Sequence, residues 1–290
     1  MMTHTHNTSS TIALRTTHDY FTRLCVTWVL LWLAACNLDD NGATVGNTVD
    51  DAALLALVEA AGLTGDPTSG RSLPSIDDPK AQLGAQLFFT QSFGGDSDSA
   101  CVTCHHPALG GGDNLSLSIG VGAEIPALLG PGRFHDSAAI HFDGGPTVPR
   151  NAPTTFNIAL WDQALFLDGR VESLGKTPGR NGDDASGIRT PDSDFGVADP
   201  DAGATLAAAQ ARFPVTSPEE MRGFIFEAGN SNDAVRVSLA NKLTNTGAWA
   251  AEFNAAFGDP TISYDRIAEA IAEYERSQVF VNSPWKAFVE

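Results

Sequence analysis

The chain has 290 residues, 42% of them hydrophobic and 18% charged, and its 35 acidic against 17 basic side chains leave a net charge of −18 at pH 7. That length and apolar content supply a core for one large domain or two small ones. So acidic a surface repels nucleic acid and suits a basic partner, although solubility alone is served by the same charge.

Arg15 and Arg23 precede the apolar run "LCVTWVLLWLAAC". At about a dozen residues this run is shorter than the roughly 20 that a membrane-spanning helix needs. It fits the core of an export signal over residues 1–35. The run ends in Leu33-Ala34-Ala35-Cys36, which resembles a bacterial lipobox whose cysteine is lipidated; cleavage after Ala34-Ala35 is the alternative. Both readings put the mature protein outside the cytoplasm, facing the periplasm, with membrane attachment only through a lipid anchor. Residues 36–50 are polar and read as a tether.

"DDAALLALVEAAGL" carries leucines and alanines at helical spacing, and "DPKAQLGAQLFF" predicts a second helix with Pro79 in its first turn. From Gly94 to Pro149 the chain is rich in Gly, Asp and Pro, and only the residues near Cys101 look helical. A second irregular stretch runs from Gly175 to about Gly203. Two loops this long are uncommon unless they line a site or are disordered. Helical periodicity returns in "ATLAAAQARF", "SPEEMRGF", "NDAVRVSLANKL", "GAWAAEFNAAFG" and "SYDRIAEAIAEYERSQVF". In the last of these Ile267, Ile271 and Tyr274 share an apolar face, with Glu269, Glu273 and Arg276 off it. No alternating strand runs stand out, so the expected fold class is all-α with long irregular loops.

The chemistry centres on "CVTCHH", where Cys101, Cys104 and His105 form C-x-x-C-H. Zinc would need four ligands, and no second C-x-x-C or H-x₃-H pairing exists. A thioredoxin-type redox pair would sit in a βαβ setting, whereas these flanks are glycine loops. C-x-x-C-H is the attachment signature of c-type haem, with both thiols bound to the porphyrin and His105 as proximal iron ligand. Export agrees with this. The remaining candidates for the sixth iron position are Met221, His106, His135 and His141. His106 adjoins the proximal ligand, and His135 and His141 lie in a loop. The expectation is an open or water-occupied position that suits peroxide.

Around this motif the pieces "LGAQLFF", "CVTCHHPALGGGDNLSLSIGVG", "RNAPTTFN", "LFLDGRVESL", "AQARFPVTSPEEM" and "IAEAIAEYERSQVFVNSPW" follow one another in order. Together they resemble the bacterial di-haem cytochrome c peroxidases and their MauG-like relatives, from about residue 75 onward. The resemblance implies a cytochrome-c-like haem domain over 51–290 that reduces hydrogen peroxide to water. Its electrons would come from a small donor cytochrome c or cupredoxin, through a second haem in a domain beyond this chain. It assigns Cys101, Cys104 and His105 to the haem, Asn151 to a calcium ion, Glu220 to acid–base catalysis and Gln210 to the peroxide pocket. From the residues alone, Ser217 and Glu220 read instead as a helix-capping box.

Three departures from the family pattern bear on function. Val121 occupies the position of a gating histidine, Leu167 that of a tryptophan between the haems, and no second C-x-x-C-H is present. These 290 residues alone are accordingly expected to turn over slowly, with Trp161 and Tyr274 as candidate radical sites. A mono-haem electron carrier and a MauG-like oxidase acting on a protein are the alternative functions.

Overall fold

The computed structural model describes residues 51–139, 148–227, 229 and 231–290. The expected export signal, the lipid site at Cys36, the tether and His141 lie outside the described residues. The chain divides after Leu63 into two units. In the first, Asp51–Ala60 forms helix α1, as its alanine–leucine pattern predicts.

The second unit, Thr64–Glu290, is built around helices α2 (Pro79–Phe89) and α7 (Tyr264–Ser277). Pro79 starts α2 because its ring presets the helical φ and its missing N–H would have no partner in the first turn. Ser263 caps α7 by accepting from the Arg266 N–H at 3.4 Å. Leu83, Leu87 and Phe88 of α2 pack on Ile267, Ile271 and Tyr274 of α7, the apolar face expected from the sequence. Phe88 and Tyr274 meet edge-on with ring centroids 5.1 Å apart. The crossing is close because position 84 has no side chain: a Cβ on Gly84 would lie 1.9 Å from the Ala270 carbonyl oxygen.

Between them in sequence come α3 (Cys101–Cys104), α4 (Leu206–Gln210), α5 (Asn232–Thr246) and α6 (Ala250–Phe257), and α8 (Pro284–Val289) follows α7. Val235, Leu239 and Leu243 of α5 and Phe253 of α6 complete the main core, which also takes in Val102 and Met221. The cysteine-bearing turn α3 is thereby anchored directly on the core.

The expected all-α class needs correction. Helices dominate, but β1 (Ala164–Leu165), β2 (Val171–Ser173) and β3 (Ile188–Arg189) form an antiparallel three-stranded sheet in the order β1-β2-β3. Its register pairs Leu165 with Val171 and Ser173 with Ile188. Val171 and Ile188 pack with Leu206 and Ala209 of α4 in a second small core. Strands of two or three residues are too short to show a period of two, which is why the sequence pattern missed them. The expected helix in "SPEEMRGF" is one wide turn over Pro218–Arg222, closed by Arg222 N–H to Ser217 O at 3.0 Å and Gly223 N–H to Pro218 O at 3.1 Å. Among the described residues, no helix is long and apolar enough to cross a membrane.

Candidate active site

Helix α3 is a single turn that sets Cys101 and Cys104 on the same side. Ala100 enters it extended and donates its N–H to Thr103 Oγ1 at 3.0 Å. His105 leaves the helix, its N–H donating to the Cys101 carbonyl at 3.0 Å. The His105 Nδ1 atom lies 3.2 Å from the Gly111 carbonyl. A carbonyl only accepts, so Nδ1 holds the ring proton and Nε2 keeps its lone pair. Lost solvation lowers the His105 pKa. The ring is therefore neutral, the form that ligates a metal.

Both cysteines are free. Burial, aided by the charges of Asp113 and Glu220, pushes the Cys104 thiol up to about 12. Cys101 is raised further, first by burial and then by Glu275. A redox dithiol works through a lowered thiol pKa, and zinc binds thiolates. This site favours neutral thiols. Two such thiols one turn apart, followed by an imidazole with an available Nε2, fit covalent haem c.

The turn carrying Glu220 is clamped from two sides by backbone. The Ser99 hydroxyl donates to the Glu220 carbonyl at 3.0 Å, and the Gly95 N–H to the Met221 carbonyl at 2.8 Å. On the other side the Val121 N–H donates to the Glu219 carbonyl at 3.2 Å. Position 120 must be glycine, since a Cβ there would fall 2.3 Å and 2.4 Å from the carbonyl oxygens of Glu219 and Glu220. No side-chain cap forms at Ser217, whose hydroxyl instead reaches Glu219 Oε2 at 3.2 Å. The capping box read from the sequence is absent, and the Glu220 carboxyl is not spent on starting a helix. Burial raises its pKa, against the opposing charge of Arg170. Its own charge contributes to raising both thiols, which brings Glu220 and the cysteine pair into one electrostatic site.

Residues 78–290 match the protein family described as di-haem cytochrome c peroxidase. The chain belongs to this family. Methylamine utilization protein MauG of Methylorubrum extorquens is 26% identical over 207 residues, which cover 71% of this chain and 40% of that protein. Cytochrome c551 peroxidase of Pseudomonas aeruginosa is 25% identical over 215 residues, covering 74% of this chain and 43% of that protein. The chain therefore spans about two fifths of the length of these relatives. A solved MauG-like protein associated with microbial copper homeostasis shares 19% identity at a TM-score of 0.42, over 73% of this chain and 45% of that one. Membership in a family described as di-haem implies haem c as the group that C-x-x-C-H holds.

The other family-assigned residues fare differently. Gln210 ends α4 and is partly buried, and no hydrogen bond among the described residues joins its amide to Glu220. Asn151 donates from Nδ2 to the Leu115 carbonyl at 2.6 Å and lines a surface hollow. Asp113 lines the same hollow, and its buried Oδ2 has no hydrogen-bond partner among the described residues. These are oxygen donors of the kind calcium takes.

Among the candidate sixth ligands, His106 Nδ1 accepts from the Ala108 N–H at 3.1 Å and is used locally. Met221 is a core residue whose sulfur sits 3.9 Å from Cys101 Sγ. His135 lies in its loop as expected. It is partly buried, pairs with Ala123 and packs beside Gly122, next to Val121. Val121 itself is buried, and Leu167 stands 90% exposed at the β1–β2 turn.

Among the buried ionisable residues that escaped the sequence reading, Arg133 and Glu275 bear on the site. Arg133 donates to the carbonyls of Ile119 (2.6 Å), Gly120 (2.5 Å), Pro126 (2.9 Å) and Leu128 (2.8 Å), knitting the loop beside α3 together. An arginine in an aperiodic loop gives no signal of such a role. Glu275 did give one, because it follows Ile267 and Ile271 at the i+8 and i+4 positions of the buried helix face. The cleft of about 580 Å³ lined by Arg71, Arg212, Asp265 and Arg276 contains none of the C-x-x-C-H residues.

Proposed function

We propose that this chain is the peroxide-handling haem domain of a peroxidase that reduces hydrogen peroxide to water. Electrons would come from a small periplasmic donor such as a cytochrome c or a cupredoxin. The observation that carries this reading is the one-turn C-x-x-C-H beside the clamped turn of Glu220, whose neighbour Met221 sets its sulfur 3.9 Å from Cys101 Sγ. Cys101 and Cys104 would hold the haem covalently and His105 Nε2 would ligate its iron. Haem supplies the electrons that break the O–O bond.

Glu220 moves the proton. Its carboxylate accepts a proton from one peroxide oxygen and returns it to the other, which leaves as water. A raised pKa helps both halves of that transfer near neutral pH. The Gly120 contact and the Ser99 bond hold the backbone from which the carboxyl projects. Gln210 is assigned to the same pocket, and Asn151 Oδ1 to calcium, through the family resemblance. Reduction to water takes two electrons, so full turnover draws on a second redox centre, as the di-haem family name indicates. A MauG-like oxidase acting on a protein is the second reading, favoured by the similarity to MauG at equal strength.

Denaturing electrophoresis tests the haem assignment. The wild-type protein, matured in a host with haem c assembly, should give a haem-staining band that survives denaturant. The double variant Cys101→Ala/Cys104→Ala should lose it. A wild-type band without stain would remove the basis of the proposal.

A further inference from the structure

Glu275 lies on the buried face of α7, only 3% exposed, and its Oε2 has no hydrogen-bond partner among the described residues. An unpaired carboxylate in such a place is far less stable than the neutral acid. Burial alone accordingly pushes the carboxyl up to about 8. The side chain is close enough to the haem-attachment turn for its charge to raise the Cys101 thiol, and it acts on Tyr274 likewise.

The charged groups on the elements packed against α7 are committed elsewhere. Lys80 of α2 pairs with Glu269. Arg212, just beyond α4, pairs with Asp265 at 2.6 Å, and Arg236 of α5 pairs with Asp192 at 2.7 Å and Asp233 at 2.9 Å. Lys242 of α5 donates to Gly95 O at 3.0 Å and Ser97 Oγ at 2.7 Å. On α7 itself Arg276 pairs with Glu273. Helix α4 and the turn Ile158–Leu160 carry no ionisable side chain. The groups that interact with Glu275 are thus Cys101, a thioether once haem is attached, and Tyr274, neutral near pH 7. No fixed charge decides its protonation state. A change of charge at the group held by Cys101 can.

Resting on the haem assignment above, we infer that Glu275 is a redox-linked proton site, binding a proton when the attached haem is reduced and releasing it on oxidation. In balance, ferric haem, the Glu275 carboxylate, one electron and one proton give ferrous haem and the Glu275 carboxylic acid. The electron added to the iron porphyrin acts on Glu275 through a low-dielectric interior, where charges interact strongly. Proton uptake keeps electron entry close to charge-neutral. Glu275 is a positioning residue for charge and does not touch peroxide.

The test is a spectroelectrochemical titration of the haem-loaded protein with redox mediators, from about pH 6 to 9.5. The midpoint potential should fall with rising pH between the Glu275 pKa values of the oxidised and reduced forms, approaching one proton per electron, and level off outside that window. In Glu275→Gln this slope should vanish, and Glu275→Asp should restore part of it. A flat wild-type profile, or an equal slope in the glutamine variant, would overturn the inference. Failure of haem attachment is a separate outcome, visible as missing haem c absorption before any titration. Should the variants not retain haem, the reduced-minus-oxidised infrared spectrum of the wild type near pH 8 decides. A protonated-carboxyl band must appear on reduction, and its absence would equally overturn the inference.

Discussion

Replacing Glu220 with glutamine is expected to slow peroxide O–O cleavage by about 10²- to 10⁴-fold. The fold and the haem content should stay intact, because the structure ties this turn down through backbone. Ser99 Oγ donates to the Glu220 carbonyl at 3.0 Å, and Gly95 N–H to the Met221 carbonyl at 2.8 Å. The side chain makes no capping bond whose loss would loosen the turn. Glutamine keeps the shape and gives up the titratable proton. Stopped-flow mixing with peroxide, run beside thermal melts, separates the two roles. Unchanged peroxide kinetics would leave Glu220 a structural residue.

The second large effect concerns stability against pH. Burial pushes the Glu275 carboxyl in the folded chain up to about 8, against the ordinary glutamate value of 4.5. Below 4.5 both folded and unfolded chains hold the proton, and the group's contribution is fully present. Between 4.5 and 8 the unfolded chain has released its proton while the folded chain keeps it. Stability therefore falls as pH rises through that window and levels off above it. A shift of this size corresponds to a loss on the order of 5 kcal/mol. The group is 3% exposed, so solvent does little to screen the effect. His105, with a lowered pKa, acts in the opposite sense as pH falls below about 6.5. Comparing Glu275→Gln with wild type isolates the Glu275 term. Urea unfolding midpoints at pH 5 and pH 8.5 should differ by less in the variant, and parallel pH profiles would contradict the burial argument.

Much of this was legible in the sequence because it rests on local spacing. C-x-x-C-H places two thiols and an imidazole on one turn whatever surrounds them. Ile267, Ile271 and Tyr274 declare the buried face of α7, and all three are in the core. What was illegible depends on long-range contact. The capping box at Ser217 failed because the chain there is clamped by residues around 95, 99 and 120, and tertiary backbone bonds override the local signal. The β1–β2–β3 sheet is held by pairing between segments too short to announce themselves. Glu275 was readable yet unread, since an acid on an apolar stripe resembles pattern noise until its burial is seen. The packing of His135 was illegible because its proximity to Gly122 comes from loop closure, with Asp136 N–H donating to Gly122 O at 2.8 Å.

The most direct test of a peroxide-reactive haem at Cys101, Cys104 and His105 is to mix the ferric, haem-loaded protein with hydrogen peroxide without prior reduction and follow the Soret band. Val121 has no donor atom for iron. The account therefore predicts a high-spin ferric spectrum and a prompt shift of the band, first order in peroxide, with cyanide binding under the same conditions. A low-spin ferric spectrum that ignores peroxide until the haem is reduced, and turns high-spin in His135→Ala, would contradict it.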